Sequence, residues 1–157
     1  MKTFALIVAL IYTTIIHAND FPANWQAFKD SQIPEDRNIV ASILKAAKEN
    51  DLNLCIEYGR GERAKKETRR NRAVFEYLLH ANRLNSADLR NIKSKDVAIG
   101  MSACGVMAAL GRPTRGHTRE SAYGTSTQMV YERDGRYNMY IHLDYKNSDF
   151  IVTSISR

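Results

Sequence analysis

Few residues in this chain have the type and spacing to carry chemistry, and the sharpest are its two cysteines, Cys55 and Cys104. As the second residue of a helix, a Cys104 thiolate would be stabilised by free amides and the helix dipole, as in thiol redox sites. In an oxidising compartment the same pair reads first as a disulfide. It would close a loop of roughly 50 residues, worth about 4 kcal/mol in the chain-entropy account. Met101 and Met107 flank Cys104, but thioethers with no clustered imidazole read as core filler. Ser42-Ile-Leu-Lys45 matches the Ser-x-x-Lys nucleophile pattern, yet it lies in an ordinary amphipathic helix without Ser-Asp-Asn or Lys-Thr-Gly partners. His80, His117 and His142 are not spaced as a ligand set, and two cysteines alone make no closed zinc site. No Gly-x-Ser-x-Gly, His-Glu-x-x-His or phosphate-cradling glycine loop occurs. The expectation is a protein with no catalytic residue, no metal and no cofactor.

The strongest polar feature is a run of charge. Residues 60–72 hold Arg60, Arg63, Lys65, Lys66, Arg69, Arg70 and Arg72 against Glu62 and Glu67, a net of +5. The whole chain carries +6. Such a run reads either as a solvated helix face, its charge softened by a Glu62–Lys66 pair and by Glu67, or as an anion-facing patch. The patch would meet lipid head groups, cell-wall polymer or an acidic partner protein. A polar loop over 111–124 adds Arg112, Arg115, His117 and Arg119, and loops of that kind often bind. No nucleic-acid motif accompanies either stretch.

The elements that must position these groups begin with an export signal. Residues 1–18 have a basic start at Lys2, an apolar core over 4–16 and a small residue, Ala18, before the expected cut. That core is short of the ~20 residues needed to span a bilayer. No cysteine stands directly after the cut, so the expected product is a soluble periplasmic or secreted protein without a lipid anchor. Removing Lys2 leaves 22 basic against 17 acidic residues, so the basic run equals the whole mature charge of +5. With 44% hydrophobic and 25% charged residues, the remainder can build an ordinary core without a metal.

Residues 19–34 read as an arm pinned by Trp25 and Phe28. Residues 35–96 read as a helical extension. In it Ile39, Ile43, Leu44 and Ala47 mark a helix to about Asn50, and residues 52–59 are a helix or strand ended by Gly59. A further helix is expected from about Ala64 to Ala81, and a short one capped by Ser86. Over 97–157 the pattern is one helix, 103–110, with Ser102 as N-cap, Val106 and Leu110 on its buried stripe, Gly111 in the left-handed C′ position and Pro113 as the stop. Strands follow over 125–133 and 136–145 around Asp134-Gly135, a strong hairpin signal, and a looser turn leads to a last strand. The expected fold is α+β, one compact domain over 35–157 with helices on one face of a three-stranded antiparallel meander.

These residues resemble the SmpA/OmlA family, which includes a small lipoprotein of the outer-membrane β-barrel assembly machine. The resemblance rests on Gly100, Met101, Ser102, Val106, Leu110, Gly111, Pro113, Gln128 and Tyr131, with the closing Thr153-Ser154-Ile155, and covers 97–157. β-Lactamase inhibitor proteins share the architecture. Gly105 stands where family members often place Glu or Gln to complete a capping box. What the resemblance implies is a non-catalytic protein-binding module of the cell envelope, its partner another envelope protein. An enzyme inhibitor or immunity-type protein is the alternative, and a thiol redox protein a third.

Overall fold

The computed structural model describes residues 22–65, 67–133 and 137–157; the signal segment expected over 1–18, Lys66 and the expected Asp134-Gly135 turn lie outside them. Among the described residues six helices precede four strands. The helices are α1 (Trp25–Asp30), α2 (Pro34–Asn50), α3 (Leu52–Ala64), α4 (Arg69–His80), α5 (Ser86–Asn91) and α6 (Ala103–Leu110). The strands are β1 (Arg115–Ser121), β2 (Gly124–Arg133), β3 (Tyr137–Lys146) and β4 (Asp149–Ser156).

Helix α6 forms as its local signals dictate. The Ser102 hydroxyl accepts from the Gly105 amide at 2.9 Å, satisfying one free first-turn donor. Gly105 has no side chain to reach back to the cap, and Asp88 of α5 does so instead. Its Oδ1 accepts the Ser102 amide at 2.8 Å, and its Oδ2 accepts the Ser102 hydroxyl at 2.8 Å. The same carboxylate closes the capping box of its own helix by accepting the Asn85 amide at 2.7 Å. One buried side chain therefore caps two helices. The N-cap of α5 is Asn85, one residue before the expected Ser86. A Cβ at position 105 would lie 1.8 Å from Asp88 Oδ1, so the missing side chain makes room for the shared carboxylate. Burial pushes the Asp88 carboxyl above its ordinary range, although hydrogen bonds from Asn85 and Ser102 pull it down. At the other end Gly111 has φ +88 but ψ −159, so it leaves the helix with an extended ψ rather than the expected left-handed one.

The stretch 52–59, readable as helix or strand, is part of a longer helix. Helix α3 runs straight through Gly59, the expected terminator, because that glycine sits against α6: a Cβ there would stand 1.8 Å from the Ala108 carbonyl oxygen. One turn earlier, Cys55 is bridged to Cys104 of α6 with a Cα–Cα distance of 5.3 Å. One turn later, the Arg63 guanidinium donates to the carbonyls of Ala108 (2.6 Å) and Ala109 (3.1 Å) at the end of α6. The helix expected to begin near Ala64 begins at Arg69 instead. Ala64 ends α3, Lys65 turns left-handed at φ +49, and Thr68 caps α4 by accepting the Asn71 amide at 3.1 Å. Between Ala64 and Ala73 there is no apolar residue, so hydrophobic spacing had nothing with which to mark the break.

The sheet is an antiparallel meander in the order β1-β2-β3-β4. It has four strands, not three, because the segment expected as a loop over 111–124 contains β1. All seven β1 residues are exposed, so the strand lacks the alternation that betrays a half-buried one. In β3 that alternation is clear: Met139, Ile141 and Leu143 are buried. The expected loose turn between β3 and β4 is tight, with Asn147 and Ser148 both at positive φ. Helix α6 lies on the inner face and is tied at both ends. The Tyr131 hydroxyl donates to the Gly111 carbonyl at 3.0 Å, while segment 100–102 hydrogen-bonds along β4 through Gly100, Met101 and Val152.

Helices α1, α2 and α4 pack on one another, and α2 and α4 on α3. Trp25 and Phe28 bring the N-terminal arm into the same core as Val152 of the last strand. Among the described residues no helix is long and apolar enough to cross a membrane.

Replacing Gly59 by alanine tests the close approach of α3 to α6. Helix propensity alone would favour alanine by about 1 kcal/mol. The clash with a backbone carbonyl should reverse that and cost about 2 kcal/mol in urea unfolding. Gly61→Ala, which meets only the flexible Asn71 side chain, should cost less.

Candidate functional site

Arginines of the basic run are built into the structure by carboxylates from other elements. Arg69 Nε lies 2.7 Å from Asp36 of α2, a carboxylate with no exposed surface. Arg70 grips both oxygens of Glu57 on α3 and donates to the Ser42 hydroxyl at 2.6 Å. Arg72 pairs with Glu76 one turn along at 2.6 Å and stands over the Phe75 ring at 5.6 Å. Arg63 is engaged with α6. Arg60 and Lys65 are exposed. The run is thus no single helix face: it bends through the α3–α4 turn. Ser42 of the Ser-x-x-Lys pattern donates to the Ile39 carbonyl besides accepting from Arg70, a structural rather than nucleophilic setting.

Burial pushes the Asp36 carboxyl up, but hydrogen bonds from Arg69 and Ser31 and the guanidinium charge outweigh it, and its pKa falls below the usual value. The native state then binds fewer protons than the unfolded chain between the two values. This stabilisation is present above about pH 4 and lost as pH falls through the native pKa.

The most open polar surface is β1. Segment 100–102 covers part of the far edge of the sheet, whereas no described residue pairs with the free edge of β1. Register places Arg115, His117 and Arg119 on the face away from the helices, beside Val130, Gln128 and Ser126 of β2. Gln128 Nε2 and His142 Nε2 lie 3.3 Å apart next in that row. Arg115 meets Glu132 at 2.7 Å, Arg112 donates to Asn53 at 2.8 Å, and Arg119 has no ion pair among the described residues. The hairpin tip is a two-residue turn, Ala122-Tyr123, and the Tyr123 side chain is fully exposed. The row was visible in sequence as basic residues but not as a strand, and Tyr123 carried no sequence signal.

The motif residues of 97–157 have structural places: Met101 and Val106 are fully buried, Leu110 packs on the core, and Gly100 donates its amide to β4. Pro113 precedes Thr114, whose amide donates to Val130 of β2. Cys55 and Cys104 are both in the disulfide and fully buried, so neither is a free nucleophile. No group of three or more His, Cys, Asp or Glu capable of holding a metal occurs among the described residues. Comparison with protein-family models, with curated proteins and with solved structures finds no match.

Two measurements check this account. The native, non-reduced protein should show no reactive thiol and a mass two hydrogens below the reduced form. Asp36→Asn should cost about 3 kcal/mol at neutral pH by removing the carboxylate that holds Arg69 and Ser31, and the deficit should shrink as pH falls through the native Asp36 pKa.

Proposed function

We propose that the protein is an exported, non-catalytic protein-binding module that works in cell-envelope assembly or maintenance, and that it binds its partner along β1. The observation that carries this reading is the open β1 edge, seven residues long and exposed on both faces. An extended partner segment adding to it gains backbone hydrogen bonds, and alternate side chains give the specificity. A second copy is a poor occupant. Antiparallel pairing about Thr118 would set the outward row of one copy, with Arg115 and Arg119, against the same basic row of the other. An acidic partner strand would instead complement Arg115, His117 and Arg119. The disulfide supports an oxidising compartment, as export requires. The SmpA/OmlA-like residues over 97–157 support the envelope role.

Tyr123 favours a second reading. A fully exposed tyrosine on a hairpin tip is suited to fill a pocket in a target, which is how an inhibitor or immunity-type protein would block an enzyme. Photocrosslinking from position 123, with the captured protein identified by mass, separates the two. An envelope assembly protein supports the first, and a single enzyme whose activity falls on binding supports the second. Arg119→Glu should weaken capture by roughly tenfold in either case. Undiminished capture by that variant would remove β1 from the interface.

A further inference from the structure

A cleft of about 680 Å³ opens where the end of α3, the first half of α4 and the segment after α5 converge. No residue lining it belongs to the sheet, so it is distinct from the β1 surface. Its cations come from three separate stretches: Arg63 and Lys65, then Arg72, then Lys93 and Lys95. Glu62 and Glu67 are its carboxylates, and Arg72 is already paired with Glu76 at 2.6 Å, leaving a surplus of two positive charges in a concave space, where low-dielectric walls focus the field. Lys93 stands 3.9 Å from Glu62 and is largely exposed, a pair too long and too wet to neutralise either group. Lys65 and Lys95 both take left-handed backbone, at φ +49 and +57, where glycine or asparagine would be less strained. Two unrelated chain turns thus each place a lysine in one cleft at a conformational cost. The aromatic wall is Tyr58 stacked on Phe75 at 5.2 Å, with the Arg72 guanidinium over Phe75. Arg72 keeps its Nε buried with no hydrogen-bond partner among the described residues.

We propose that this cleft binds a diphosphate group. Its two surplus positive charges, on cations drawn from separate stretches of chain, suit a compact group with several negative charges such as a diphosphate. The lysines at the rim would take the phosphate oxygens as point charges, Arg63, held only by neutral carbonyls, sets the deeper field, and Phe75 receives the adjoining apolar or planar part of the ligand. The same chemistry is offered by a soluble diphosphate ester and by a lipid with a diphosphate head group.

Calorimetric titration of the purified protein with inorganic pyrophosphate tests the site. One-site saturable binding is expected. The affinity should fall by roughly tenfold or more in Lys93→Glu/Lys95→Glu, and separately in Lys65→Glu. Lys45→Glu/Lys48→Glu, an equal charge change at exposed positions of α2 outside the cleft, should leave it unchanged; circular dichroism confirms that each variant is folded. Absence of saturation at millimolar pyrophosphate overturns the proposal, as does equal weakening by the α2 variant, which would reduce the effect to net charge. Flotation with phosphatidylcholine vesicles, with and without farnesyl diphosphate, assigns the source: diphosphate-dependent co-flotation points to a head group, and pyrophosphate binding without co-flotation to a soluble ester.

Discussion

Cys55, Gly59 and Arg63 fall on one face of α3, four residues apart, and each meets α6 in a different way. The first is covalent, the second is contact between backbones with no side chain between them, and the third satisfies the carbonyls that end α6. Four residues is slightly more than one turn, so the three ties form a single seam along α3. Because α6 in turn lies on β2 and β4, this seam fixes the sheet to the N-terminal helices. Much of the shared core, from Trp25 to Val152, is enclosed on either side of it.

The basic run is explained by the same geometry. Helix α4 begins with Arg69, Arg70 and Arg72 at its positive end, with no acidic residue in its first turn, the reverse of what the helix dipole favours. Carboxylates of α2, α3 and α4 itself offset that cost, so a dense stretch of positive charge is spent largely on joining helices. Arg60 and Lys65 of the run stay exposed, and further open positive charge stands on Lys93 and Lys95 of the cleft and on the outward row of β1.

Helix α6 was legible because its signals are local. Ser102 caps, Val106 packs, and Gly111 and Pro113 stop the helix, each through its own backbone or its nearest neighbours. The cysteine pair was equally legible, since only two are present. Gly59 was not, because the residue that makes it necessary, Ala108, lies far along the chain. In isolation a glycine after an apolar run reads as an end. Strand β1 escaped for a related reason: an edge exposed on both faces leaves no hydrophobic period, although its two-residue turn and Gly124, at φ +124, define the hairpin. The break at Lys65 to Thr68 fell within a wholly polar stretch. Lys93 and Lys95 had no sequence link to the basic run, and only the turn after α5 sets them beside Arg72.

The disulfide also bears on how the chain is made. Cys55 is synthesised 49 residues before Cys104, and α6, against which α3 must close, does not yet exist when α3 emerges. The first half of the molecule therefore waits with one thiol open. With only two cysteines in the sequence, that thiol has a single partner within its own chain, so an oxidant suffices and no isomerase is needed to sort pairings. The one error left to avoid is pairing between molecules.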